Sequence, residues 1–152
     1  MAATGKSLKA RAAELLSRRE YTRQELVRRL APFADSEDEL NAALDELAAA
    51  DWQSDDRFAR QFASSKGAKF GSRRLAQEMR QRGVDSETIR EALSGQDDLA
   101  SARAQWRKKF GRLPADAAEK AKQYRFLTQR GFPADVIRQV LASGADDDFY
   151  ED

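Results

Sequence analysis

Gln81-Arg82-Gly83 recurs as Gln129-Arg130-Gly131, and the match runs on: Ile89-Arg90 returns as Ile137-Arg138 and Leu93 as Leu141, all at one offset of 48 residues. Residues 75–95 and 123–143 are therefore two copies of one helical hairpin. A fixed period of this size marks a repeat protein, in which each unit is too small to close a core by itself. A more diverged first copy is expected upstream, because Leu40 and Leu44 match Ile89 and Leu93 at the near offset of 49. Function in such an array is expected on a long surface more than in one pocket.

Apolar spacing then predicts helices throughout, with no alternating strand. Leu8, Ala12, Leu15 and Leu16 form a first apolar face. Thr22-Arg23-Gln24-Glu25 and Ser36-Glu37-Asp38-Glu39 read as capping boxes, in which hydroxyl and carboxylate satisfy orphan backbone donors. The helices they open carry Leu26, Val27 and Leu30, with Pro32 helping to end the run, and Leu40, Ala43, Leu44 and Leu47. Phe58 and Phe62 share a face in the next helix, and Gly67 and Gly71 bracket the break after it. Leu75, Ala76 and Met79 line the helix that Gly83 ends in a left-handed cap, and Asp85 or Ser86 caps the one after it. Ala102, Trp106 and Phe110 precede Gly111. Pro114 is expected to start a helix with Ala118, Ala121, Tyr124 and Leu127. Pro133 suits the first position of the last helix, whose core is Val136, Ile137, Val140 and Leu141. The reading is all-α: three tandem three-helix repeats, about nine helices, stacked into an elongated curved array. Its boundaries are residues 1–53, 54–95 and 96–144, followed by an acidic tail at 145–152 carrying Phe149 and Tyr150.

Composition narrows the function. Hydrophobic content is 41% and charged content 35% across 152 residues, which suits a surface-rich helical protein. No apolar run is long enough to span a membrane. The chain has neither His nor Cys, so nucleophile–histidine catalysis is ruled out, a zinc site is not expected, and a reducing cytoplasm is the expected setting. Gly5-Lys6-Ser7 lacks the upstream glycine and strand of a phosphate loop. The acidic runs Glu37-Asp38-Glu39 and Asp146-Asp147-Asp148 read as solvated charge, since acid–base catalysis needs a desolvated carboxyl. Neither an enzyme nor a cofactor is expected.

The net charge of +1 conceals a pattern. Residues 31–56 hold nine acids and no base, residues 57–82 eight bases against Glu78, and the sign alternates onward in step with the repeat. This phasing predicts basic and acidic stripes. Lys66, Lys69, Arg73, Arg74, Arg80 and Arg82 cluster around the second helix of the middle unit. Lys108, Lys109, Arg112, Lys120, Lys122 and Arg125 form the equivalent group in the third. These stripes are the candidate partner and DNA surface. The hairpins at Gly83 and Gly131 resemble a helix-turn-helix, but the helix after Gly83 carries Asp85, Glu87 and Glu91 against Arg90, which opposes major-groove docking. Trp52, Phe58, Phe62, Trp106, Phe110 and Phe132 have the spacing of packing residues.

In the middle unit, Asp56-Arg57-Phe58-Ala59, Phe62, Gly71, Arg73-Arg74-Leu75, Glu78-Met79, Gly83 and Ile89, in that order and spacing, resemble the RecX family of bacterial regulators of the RecA recombinase. The resemblance runs from about Leu8 to Leu141 and is weakest in the first unit and the tail. It implies three tandem three-helix repeats. It implies a protein that binds RecA, above all RecA filaments on single-stranded DNA, and modulates, mainly inhibits, recombinase, ATPase and co-protease activity. That is a place in DNA recombination, DNA repair and the SOS response, with weak direct DNA contact. A monomer is expected. The rival reading is a general nucleic-acid-binding helical module with no RecA role; a third is a passive scaffold for another helical partner.

Overall fold

The computed structural model describes residues 5–143. Among them the chain forms nine α-helices and no strand: α1 (Leu8–Leu16), α2 (Arg23–Leu30), α3 (Glu37–Ala49), α4 (Asp55–Lys66), α5 (Ser72–Gln81), α6 (Ser86–Ala92), α7 (Asp98–Lys109), α8 (Ala117–Gln129) and α9 (Ala134–Ser143). A 3-10 turn at Ala31–Phe33 carries Pro32 and closes α2. The acidic tail with Phe149 and Tyr150 lies outside the described residues.

Helix ends follow local chemistry. At α2 the capping box is complete: Glu25 N–H donates to Thr22 Oγ1 at 3.0 Å and Thr22 N–H donates to Glu25 Oε1 at 2.9 Å. At α3 only half of the expected box forms. Ser36 Oγ accepts from Glu39 N–H, but the Glu39 carboxylate accepts from Asp35 N–H instead of Ser36. Asp85 caps α6 by accepting from Thr88 N–H at 2.8 Å, and that bond holds its carboxyl below the usual aspartate range. Pro114 does not begin a helix: α8 starts at Ala117, with Asp116 accepting from Glu119 N–H. A side-chain acceptor fixes this start more firmly than the fixed φ of a proline three residues earlier. Pro133 likewise sits one residue before α9, where its carbonyl accepts the first helical bond from Ile137.

Three helices end in the same double closure. Gly83 and Val84 N–H donate to the Arg80 and Met79 carbonyls, Gly131 and Phe132 N–H to those of Thr128 and Leu127, and Asp51 and Trp52 N–H to those of Ala48 and Leu47. The motif needs a left-handed residue before an apolar one, and φ is +90° at Gly83, +93° at Gly131 and +63° at Asp51. In two cases the apolar residue is buried, Val84 and Phe132. Trp52 instead stands 56% exposed, contrary to its expected role in packing.

The chain divides into two compact units that do not follow the repeats. One runs up to Gln61 and adds Met79–Ile89; the other is Phe62–Glu78 with the chain from Arg90 onward. The first is built on Leu8, Ala12, Tyr21, Leu26, Leu30, Leu40, Ala43, Leu44 and Leu47. Full burial of one leucine contributes roughly 1.5–3 kcal/mol, so these six leucines outweigh the caps around them. Within this unit Arg57 donates to Glu20 at 2.7 Å and to the Trp52 carbonyl. The Glu20 bond raises the Arg57 pKa above its ordinary value. Arg57 is thus a staple of the fold. The second unit is built on Ala102, Trp106, Leu127, Phe132, Ile137, Val140 and Leu141. One polar residue enters it: buried Gln123 accepts from Trp106 Nε1 at 2.8 Å and donates to the Arg112 carbonyl, so burying the indole N–H leaves no orphan donor.

Candidate functional site

The repeated Arg-Gly turn is a docking element. In the first unit Thr22 Oγ1 donates to the Arg82 carbonyl at 2.6 Å, and a Cβ on Gly83 would collide with Gln24. In the second, Gly71 N–H donates to the Arg130 carbonyl at 2.8 Å and Arg73 N–H to that of Gly131 at 3.0 Å, while a Cβ on Gly131 would fall on Arg74. Each turn therefore lies on the first turn of the second helix of the preceding repeat, α2 or α5. A Gln-x-Asp step completes each joint. Asp55 accepts from Arg23 N–H and from Gln53 Nε2, which also donates to the Tyr21 carbonyl. Asp98 accepts from Ser72 N–H, Ser72 Oγ and Gln96 Nε2, which also donates to the Phe70 carbonyl. Backbone donors that a helix start leaves orphaned are here satisfied by the next repeat.

The joint decides which predicted cations are free to act. In the first unit Arg80 is exposed, whereas Arg82 is half-buried with its guanidinium 3.6 Å from Glu25. In the second, Arg73 points outward, but Arg74 is half-buried: it bonds Glu78 at 2.9 Å, lies 3.9 Å from the Phe70 ring centroid and reaches the Gln129 carbonyl. Arg74 thus belongs to the joint more than to an outward stripe. Lys66 is half-buried beside Phe62. Arg112, Lys120, Lys122 and Arg125 are exposed on α8 and the segment before it.

Three predicted cations converge with one that sequence reasoning left out. Lys69, from the loop after α4, Lys108 and Lys109, from the last turn of α7, and Arg130, at the end of α8, line an open cleft of about 480 Å³ with Gln105 and Phe126. Among the described residues, no carboxylate lines it. Rings lie beside its cations: Arg130 is 5.0 Å from the centroid of Phe126, which lines the cleft, and 5.7 Å from that of Phe70, Lys109 is 5.8 Å from Phe126, and Phe110 meets Phe126 edge-on. Cations stacked on rings keep their charge for an incoming anion while their stems stay ordered. Arg130 was visible only as part of the repeat motif. Its i, i+4 pairing with Phe126 was the signal that placed both on one face. No group of three or more metal-ligating side chains occurs among the described residues, and none of their helices is long and apolar enough to cross a membrane.

These features define a class: an all-α protein of tandem three-helix repeats, joined turn to helix start, with a basic cleft at one joint. Residues 54–93 match the second three-helix domain of RecX and residues 96–141 the third, and the chain belongs to the RecX family. It is 94% identical to the regulatory protein RecX of Chromobacterium violaceum over the full length of both chains. It is 47% identical to that of Neisseria meningitidis serogroup B over 97% of each. The crystal structure of RecX from Lactobacillus salivarius superposes with a TM-score of 0.79 at 20% identity, covering 89% of this chain and 92% of that one, and a further crystal structure of a regulatory protein RecX gives 0.75 at 19%, covering 88% and 70%. The fold is that of RecX, and a regulatory role comes with the family.

Proposed function

We propose that this protein is a non-enzymatic regulator that binds RecA and RecA filaments on single-stranded DNA. In this reading it mainly inhibits the recombinase, ATPase and co-protease activities of RecA, as a cytoplasmic monomer. The observation that carries the reading is full-length similarity to regulatory RecX proteins. The basic cleft supports it physically, because a protein working on a DNA-coated filament needs cations clear of their own carboxylates to meet phosphates. The acidic side chains of α3 would meet basic RecA loops in the same encounter. The test is RecA ATPase on single-stranded DNA, titrated with this protein. The expected outcome is a saturable fall in turnover at near-stoichiometric ratios to RecA. Unchanged turnover at large excess refutes the reading. The cleft also favours a second reading, a nucleic-acid-binding module with no RecA role, which predicts equal affinity for bare and RecA-coated strands.

A further inference from the structure

The cleft straddles the joint between the second and third repeats. Lys69 stands on one side, four residues before the Arg73 amide that the Gly131 carbonyl receives. Lys108, Lys109 and Arg130 stand on the other. Further bonds cross the same joint: Ser101 Oγ and Gln96 Nε2 donate to the Gly67 carbonyl at 2.7 and 2.8 Å, and Gln105 Nε2 to that of Ala68. The carbonyl of Arg130 receives Gly71 N–H while its guanidinium faces the cleft. One residue therefore belongs to both the joint and the cleft wall.

We propose that this cleft binds the phosphodiester backbone of single-stranded nucleic acid, and that occupation clamps the joint between the second and third repeats. The choice of a single strand as ligand rests on the filament reading above; the cleft and its coupling to the joint do not. Four cations with no carboxylate among them repel one another, and an anion between them relieves that repulsion from both sides of the joint at once. A concave space of about 480 Å³ is within the range that holds one small ligand, and it admits a flexible strand more readily than a rigid duplex. Arg130, 5.0 Å from the Phe126 centroid, adds a guanidinium plane on which an unpaired base can lie. A ligand that needs both walls binds the closed joint and not the open one, so it lowers the open population by the factor 1 + [L]/Kd.

The experiment uses the full chain and a fluorescein-labelled oligothymidylate. Binding is followed by anisotropy across a salt series, and amide hydrogen exchange is read with and without the strand. Lys108→Glu with Lys109→Glu is expected to weaken binding at least tenfold and to lower the salt slope by about 1.4, two phosphates at roughly 0.7 each. Arg18→Glu with Arg28→Glu, two exposed positions outside the cleft and outside both basic groups, is the matched control. The milder Lys108→Gln with Lys109→Gln guards against misfolding of the reversed pair, and should lower the slope in the same direction. At a strand concentration tenfold above Kd, exchange at Gly71 and Arg73 is expected to slow about tenfold. Exchange at Arg23, whose amide is capped by Asp55 in the first unit as that of Ser72 is by Asp98 in the second, should stay within twofold. The proposal is overturned if the control pair loses as much affinity as the cleft pair, or if Gly71 and Arg73 do not slow. It is also overturned if polyglutamate of equal charge displaces the strand as well as unlabelled oligothymidylate does, because the ligand is then any acidic chain. RecA ATPase is measured on the same samples. Unchanged turnover alongside the expected binding would remove the regulator reading and leave the cleft standing.

Discussion

A methyl group added at residue 131 has nowhere to go. Its φ of +93° is one that side-chain-bearing residues adopt at a cost, and the new Cβ would fall on Arg74 at the start of α5. The left-handed backbone costs an alanine about 1–2 kcal/mol and a forced contact in a packed joint about 1–3 more. Gly131→Ala is therefore expected to lower stability by roughly 2–5 kcal/mol in urea denaturation. Gly95→Ala, with open space around it, should stay within about 0.5 kcal/mol. Equal effects would mean that the turn does not dock. Individual residues were legible where local chemistry dictates them. Gly83 and Gly131 could be placed because a helix that must stop before an apolar residue calls for a left-handed position. Trp52 was misread, because helical spacing says which face a residue occupies and not what lies opposite it.

At the scale of the element, α5 shows how a helix can depend on another repeat for its start. Its first donors go to the Arg130 and Gly131 carbonyls and the Asp98 carboxylate; at α2 Asp55 accepts the Arg23 amide in the same way, while the Arg82 carbonyl accepts the Thr22 hydroxyl. Replacing a helix-capping acceptor by alanine costs about 1–2 kcal/mol, more if a partly buried donor is left orphaned. Asp98→Ala should lower the unfolding free energy by that amount and speed exchange at the Ser72 amide, with Asp98→Asn intermediate because its carbonyl still accepts. No change at Ser72 would show that another group caps α5. All nine helices were legible from apolar periodicity and caps. The Gln-x-Asp steps were not, because their donors lie 26 to 32 residues away in sequence. The basic cleft was half legible: charge phasing selected Lys69, Lys108 and Lys109, while only the joint brings Arg130 and Phe126 to them.

At the scale of the whole molecule, repeats and compact units are different partitions. The middle repeat gives Met79–Ile89 to one unit and Phe62–Glu78 to the other. The reason is physical: its Gly83 turn packs on the helix before it, while the start of α5 is held by the turn and the aspartate after it. Stability of such a chain resides in joints between neighbours as well as in the repeats themselves. Cutting the chain after Gly95 should therefore have a local consequence. The fragment 1–95 keeps every residue of the first unit, including Asp55, the Arg82 carbonyl and the leucine core of α1 to α3. It loses Asp98, Arg130 and Gly131, the three acceptors of the Ser72, Gly71 and Arg73 amides. Hydrogen exchange is expected to show near-full protection of α2 and α3 in the fragment, while those three amides exchange close to the rate of an unfolded chain. If they remained as protected as in the full chain, α5 would hold its own first turn. Repeat-to-repeat capping would then be an accompaniment of the fold, without a share in its stability.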